Sequence, residues 1–231
     1  MNRSVLHAVL EARAHQRPLV LVTELDSGRQ WAEIRGGPAS GLAADLRDAA
    51  LAALSRDRSA VVEIAGARYF LHAMNPPLRL FVVGAVHIAQ ALVPMASLLG
   101  YAVTVIDPRR AFVTGERFSG VKVSTDWPDD ALAAVGLDAR SAVVTLTHDP
   151  KLDDPALRVA LASPAFYIGS LGSRRTHGRR IERLATAGLT QEALARIHAP
   201  IGLDIGAVSP AEIAASIVAE FTLVLRARAE G

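Results

Sequence analysis

Apolar and polar positions follow two different regimes along this chain, and the change of regime divides it. Up to residue 74 the pattern is mixed. An amphipathic helix is predicted at about 3–15, and LVLVTEL (19–25) and RQWAEIR (29–35) are strand-like runs around Asp26-Ser27-Gly28, a hairpin signal. An Ala/Leu-rich helix follows at about 39–55. SAVVEIAGARYFLHAM (59–74) predicts a second strand pair, turning at Ala65-Gly66-Ala67. NPPLR (75–79) marks a junction.

Beyond the junction the chain alternates. Strands are predicted at 79–84, 102–106, 121–123, 141–147 and 165–168, with helices at about 86–99, 128–135, 154–162, 174–187 and 209–228. The strands are almost purely apolar, which means burial on both faces. Strand–helix alternation of that kind predicts an α/β fold whose parallel sheet carries helices on each side. The predicted organisation is a small α+β domain at 1–77 followed by the parallel-sheet domain at 78–231. Ligands of such sheets bind outside the carboxyl ends of the strands, so the residues following each strand are the candidates.

Composition narrows the classes. No apolar run approaches the roughly 18–20 uncharged residues of a membrane span. The N-terminal stretch MNRSVLHAVLEARAHQRP lacks an apolar block with a small-residue cleavage site, so a soluble, cytoplasmic chain is expected. There is no cysteine, which removes disulfides, cysteine-based zinc sites and thiol nucleophiles together. The net charge of +2 is small for 231 residues, and no basic groove with interleaved aromatics is visible. Neither nucleic acid nor a membrane is an expected partner.

Four loops carry chemistry. Gly84-Ala85-Val86-His87-Ile88-Ala89 resembles the start of a dinucleotide loop, with Gly84 for the tight turn and Ala89 for helix packing. Val86, however, stands where a second glycine lets pyrophosphate approach the backbone. Asp107 ends the second strand 23 positions after Gly84, where an acid would meet a ribose hydroxyl pair, and Arg109 offers a planar fork to phosphate. Thr147-His148-Asp149, with Asp153 and Asp154, brings an imidazole and carboxylates to the same edge. These could position a polar ligand, move a proton or bind a divalent cation, and Asp153 or Asp154 is expected to cap the next helix. In Gly169-Ser170-Leu171-Gly172-Ser173-Arg174-Arg175, glycines free the backbone N–H groups, serines add hydroxyls and arginines add forks, as an anion cradle requires. Arg175, Arg179 and Arg183 continue as a positive helical stripe. The loop at 197–206 has the look of a pocket wall, and Ser209-Pro210-Ala211-Glu212 is a capping box. No Walker loop, HExxH or GxSxG elbow is present, and no activated nucleophile is evident. The pattern suits holding a phosphate-bearing small molecule better than hydrolysing one.

The runs VVGAVHIAQALVPMASLLGYAVTVIDPR, LTHDPKLDDPALRVAL, YIGSLGSRRTHGRRIERLATAGL and IHAPIGLDIGAVSPAEIAASIVAEF resemble the XdhC/CoxI-type accessory proteins of molybdenum hydroxylases, over about 78–226. The resemblance implies a Rossmann-type domain that binds molybdopterin-type cofactor, with a dinucleotide form among the candidates. It also implies a chaperone role in maturing xanthine dehydrogenase, carbon monoxide dehydrogenase or a related apo-enzyme. Gly84, His87, Asp107, Arg109, His148, Asp149, Gly169, Gly172, Ser173 and Arg174 match family motifs, and Ala85 and Ser170 complete the cofactor-binding set. With no cysteine the chain cannot carry a persulfide, so a cysteine desulfurase is a candidate sulfur donor, and a homodimer is a candidate assembly. The competing reading on the same fold is an NAD(P)-dependent oxidoreductase, supported by Gly84 and Asp107 and opposed by Val86.

Overall fold

Strand-length and helix-length apolar runs are realised as two units of different construction. The computed structural model describes residues 2–38, 40–113 and 117–228. One unit combines the residues up to Pro76 with those from Arg226 onward, and the other covers Pro77–Leu225, so the last residues of the final helix belong with the first unit.

The first unit contains α1 (Arg3–Ala14), β1 (Leu19–Glu24), β2 (Gln30–Ile34), α2 (Ala44–Ser55), β3 (Ala60–Ile64) and β4 (Ala67–Met74). Its strands form an antiparallel sheet in the order β2-β1-β4-β3. Ala65 and Gly66 both lie at positive φ, the conformation a two-residue hairpin between right-twisted strands requires. Leu46, Ala50 and Leu54 of α2 pack on Val20, Val22 and Leu71, while Val9 and Ala12 of α1 pack on Leu19. Glu33 is fully buried, and Arg47 (2.9 Å) and Ser40 satisfy it. Helix α2 starts later than its sequence pattern predicts because Gly41, at φ +77°, is still in the preceding turn. Ala39, the predicted first residue of that helix, lies outside the described residues.

The second unit runs β5 (Arg79–Val83), α3 (His87–Leu98), β6 (Ala102–Ile106), β7 (Lys122–Ser124), α4 (Pro128–Val135), β8 (Ser141–Thr145), α5 (Pro150–Leu161), β9 (Tyr167–Ser170), α6 (Arg174–Thr186), α7 (Gln191–Leu194), β10 (Ile197–His198) and α8 (Pro210–Arg228). All six strands are parallel, in the order β10-β9-β8-β5-β6-β7. Alternate residues of one strand face opposite layers. Leu80 and Val82 meet Leu92 and Ala96 of α3 and Ile217 and Phe221 of α8, whereas Phe81 and Val83 belong to the cluster of Leu132, Ala156, Leu157 and Leu184 from α4, α5 and α6. Truncating a fully buried leucine such as Leu92 to alanine would cost about 2–5 kcal/mol. Strand order reverses direction between β5 and β8, which makes their carboxyl ends the topological switch point. No described helix is long and apolar enough to cross a membrane.

Three local expectations are corrected. The sequence predicts loop throughout 197–206, but Ile197–His198 pairs in parallel with Ile168–Gly169 as an edge strand. Two residues are too few for any period to show. Helix α5 starts at Pro150, not 154, because proline takes the first helical position. Its cap is therefore Asp149, whose Oδ1 accepts from the Lys151 amide at 2.9 Å, and neither Asp153 nor Asp154 serves as cap. The capping box of α8 forms as expected: Glu212 accepts from the Val208 and Ser209 amides, and Ser209 accepts from the Glu212 amide.

Glu220 of α8 locks the β9–β10 side of this unit. It accepts from the Tyr167 hydroxyl and from the Gly202 amide at 2.8 Å, and lies 3.3 Å from His198 Nδ1. Burial pushes this carboxyl up, but the His198, Tyr167 and Gly202 bonds outweigh it and hold it below the ordinary glutamate value. A carboxylate depressed by folding adds stability above its unfolded pKa and loses it as pH falls through the folded value. Glu220→Gln should therefore cost about 1–3 kcal/mol at neutral pH. The gap to the parent chain should narrow as pH drops below ~4.3, the ordinary glutamate value. Denaturant titrations at a series of pH values measure both, and a gap independent of pH would refute the assignment.

Candidate functional site

Parallel strands put every post-strand loop on one edge, and the residues singled out by sequence gather there. Gly84 follows β5, and its amide continues the ladder to the Ile106 carbonyl (2.9 Å). It sits at φ +109°, and a Cβ there would lie 2.7 Å from Thr147 Cγ2. Glycine is thus required by backbone conformation and by the close approach of the β8 loop. Val86 is the N-cap of α3 and supplies no side-chain cap, leaving first-turn N–H groups open. Its side chain packs against the α3–α8 core cluster, which accounts for a valine here. His87 is exposed at the start of that helix.

Asp107 is fully buried and saturated. Its Oδ2 accepts from the Ala85 amide (2.9 Å) and from Arg109 Nη2 (2.7 Å), and its Oδ1 from the Arg109 amide (3.0 Å) and Nε (2.9 Å). Burial pushes Asp107 up, and the Arg109 side chain with the Ala85 and Arg109 amides outweighs it, holding the carboxyl below the ordinary aspartate value. A carboxylate offers about four acceptor positions, and all four are in use. Asp107 therefore fixes the Gly84-Ala85 loop, and Arg109 covers it from the solvent side, stacked 4.5 Å from the Phe112 ring centre.

After β8, His148 is exposed at φ +62°, an uncommon conformation for a non-glycine residue. Thr147 accepts from the Asp149 amide (3.0 Å) and donates to Asp153 Oδ1 (2.6 Å). After β9, Ser170 is fully buried with its hydroxyl 2.5 Å from that of Thr145, so it braces two strands beneath the edge. Gly169 is also beneath the edge, where a Cβ would lie 2.5 Å from Ile201 Cδ1. Gly172 is at φ +141°, and Ser173 caps α6 by accepting from the Thr176 amide (3.2 Å). Arg174 and Arg175 are exposed in the first turn of α6, which has no acidic residue. Cations are normally disfavoured at a helix N-terminus. Among the described residues no three His, Cys, Asp or Glu side chains converge as a metal site, so the divalent-cation reading of 147–154 gains no geometric support.

Two residues outside the sequence-derived set complete the picture. Arg180 (2% exposed) donates from Nη2 to the Leu171 carbonyl (2.8 Å), while its Nε and Nη1 are buried without a hydrogen-bond partner. Asp153 (1% exposed) has an orphan Oδ2. Burial pushes Asp153 up despite Thr147 and Arg180, and burial pushes Arg180 down despite Asp153 and Asp154. A signal was present: the Arg175–Arg179–Arg183 stripe puts Arg180 at the same helical phase as His177 and Leu184, a charge on the core-facing side.

Sheet order, switch-point loops and cationic edge define a Rossmann-type α/β protein. Residues 80–221 match the model described as the XdhC Rossmann domain, and the chain belongs to that family. It is 34% identical over 154 residues to the uncharacterized protein YqeB of Escherichia coli, covering 67% of this chain and 28% of that protein. It is 36% identical over 94 residues to the molybdenum cofactor insertion chaperone PaoD of Escherichia coli, covering 41% and 30% respectively. It is 31% identical over 152 residues to a Bacillus subtilis protein described as a probable xanthine dehydrogenase subunit, covering 65% and 44%. The matches thus span less than half the length of these relatives. A solved structure described as a xanthine dehydrogenase from Bacillus halodurans superimposes with a TM-score of 0.74 at 24% identity, over 99% of this chain and 68% of that one, a likeness of fold.

The close approach at the switch point gives a direct test. Gly84→Ala should destabilise the chain by about 1–3 kcal/mol through strained φ and the clash with Thr147. Adding Thr147→Ser, which removes Cγ2 but keeps a hydroxyl for Asp153, should recover only the steric part. Thermal denaturation of the three chains checks this, and a double variant no better than Gly84→Ala would contradict it.

Proposed function

We propose that this chain binds the molybdenum cofactor at the carboxyl edge of its parallel sheet and hands it to a xanthine dehydrogenase-type molybdoenzyme. Membership of the XdhC family and similarity to a protein named as a molybdenum cofactor insertion chaperone support the reading. The observation that carries it is the first turn of α6, where Arg174 and Arg175 stand exposed beside free backbone N–H groups with no acid to offset them. That arrangement raises the free energy of the chain alone and is relieved by an anion.

The residues fit such a ligand. Molybdopterin ends in a phosphate, which Arg174 and the Gly172–Ser173 amides would hold by charge-assisted bonds, and the uncapped start of α3 offers further N–H donors to polar ring atoms. The bound cofactor supplies the metal and dithiolene chemistry; the chain's share is to hold and orient it. With no cysteine in the sequence, a terminal sulfur would have to be delivered by a partner, a role that suits a cysteine desulfurase. The saturated Asp107 and the side chain of Val86 weigh against the usual grip on NAD(P).

The test is to incubate the full chain with molybdopterin, remove free ligand by gel filtration, and oxidise the protein fraction to its fluorescent pterin. One pterin per chain is expected, with affinity at least tenfold lower (about 1.4 kcal/mol) in Arg174→Ala/Arg175→Ala. Absence of pterin, with saturable binding and turnover of NAD(P)H instead, would establish the oxidoreductase reading in its place.

A further inference from the structure

Between α5 and α6, just behind the carboxyl edge, lies a cavity of about 170 Å³ lined by His148, Pro150, Asp153, Thr176, Arg179, Arg180 and Arg183. It is smaller than the roughly 300–1,000 Å³ of pockets that enclose a whole drug-sized ligand. Broader clefts of about 550 and 590 Å³ elsewhere carry no comparable set of cations.

The charges around the small cavity do not balance. Arg183 is neutralised by a bidentate pair with Asp154 (2.6 and 3.0 Å). Burial pushes the Asp153 carboxyl above the ordinary aspartate value, and its hydrogen bond from Thr147 uses only one oxygen. Arg180 forms no ion pair among the described residues, and two of its nitrogens are buried without partners. Arg179, the preceding residue of the helix, adds an exposed cation that forms no ion pair among the described residues. Asp153 and Asp154 act on Arg180 without a direct hydrogen bond or ion pair among the described residues, and a buried guanidinium left so is destabilising by several kcal/mol unless something meets it. Replacement by a leucine would remove that cost, so the position is costly as it stands.

We propose that this cavity is a pocket for a small oxyanion of the phosphate or sulfate class, anchored by Arg180 with Arg179, Thr176 and His148 around it. The oxyanion is either a free ion or the phosphate end of a larger ligand. Asp153 Oδ2 is buried without a partner in the same lining, and protonation of the carboxyl on binding would make it a donor to an oxyanion oxygen. His148, exposed and at φ +62°, contributes its imidazole to the lining. Only the second source rests on the cofactor reading above.

Sulfate is the probe, because its charge is constant across the working pH range. Calorimetric titration into the full chain freed of small molecules should show one site. Affinity should fall at least tenfold in Arg180→Met and measurably in Arg179→Ala, and should hold or tighten in Asp153→Asn. Arg179 is exposed, so its variant keeps the test valid if Arg180→Met fails to fold. No saturable binding of sulfate or inorganic phosphate, or wild-type affinity in both arginine variants, would overturn the proposal. Adding molybdopterin separates the sources: competition with sulfate puts the cofactor's phosphate end in this pocket in place of the first turn of α6, and simultaneous binding leaves the phosphate at that turn and assigns the pocket to a free ion. A chain that binds sulfate but no pterin keeps this pocket and loses the cofactor reading; one that binds pterin but no oxyanion does the reverse.

Discussion

The Asp107 carboxylate accepts four hydrogen bonds inside the protein, and the shape of the sheet's carboxyl edge depends on them. One comes from the Ala85 amide, which holds the Gly84–Ala85 turn in the strained conformation that lets Thr147 approach. Three come from Arg109, which places a cation over the acid. Truncating Arg109 would leave the buried Asp107 carboxylate uncompensated, a loss of about 3–5 kcal/mol, whereas truncating Asp107 would leave a guanidinium that water can reach. The switch point is therefore a rigid feature, set before any ligand arrives.

Other buried acids in the chain are met in the same way. Glu33 has Arg47 and Ser40, and Glu220 has Tyr167, His198 and the Gly202 amide. Asp153 and Arg180 differ, because each keeps an orphan atom although both lie in one small region between α5 and α6. Among the described residues the other buried charged side chains have direct partners, and these two are the exception, concentrated at one place.

Much of the architecture is legible in the sequence because it rests on long-range regularity. Purely apolar strands announce a sheet covered on both faces, and helical spacing locates α3, α4, α6 and α8 close to their observed limits. What escapes depends on short or three-dimensional facts. β10 has two residues and no period. The start of α5 is set by Pro150 and Asp149, a local signal that the acids further on obscure. At the site, Gly84, Asp107 and Gly172 are found through their loops. Arg180 is hidden because an arginine in an arginine-rich helix looks solvated until its phase is compared with Leu184. Ser170 reads as a free hydroxyl, since nothing in one strand shows that Thr145 of the next stands 2.5 Å away.

These differences bear on where a ligand can sit. For a ribose to take Asp107, Arg109 would have to withdraw and leave two oxygens of a buried carboxylate to two hydroxyls. A hydroxyl bond to this carboxylate is itself charge-assisted but brings no counter-charge, so the buried acid would lose its ion pair with Arg109. Val86 replaces the glycine whose bare backbone lets a pyrophosphate come close in a dinucleotide loop, and its side chain packs into the core cluster instead. Both costs fall on the β5–β6 side of the switch point. On the β8–β9 side the balance is reversed: Arg174, Arg175, Arg179 and Arg180 are cations that an anion would relieve, and Gly172 keeps the backbone open between them. The unmet positive charge thus lies toward α6 and away from the first strand of the sheet, while the frame that presents it is a Rossmann-type sheet.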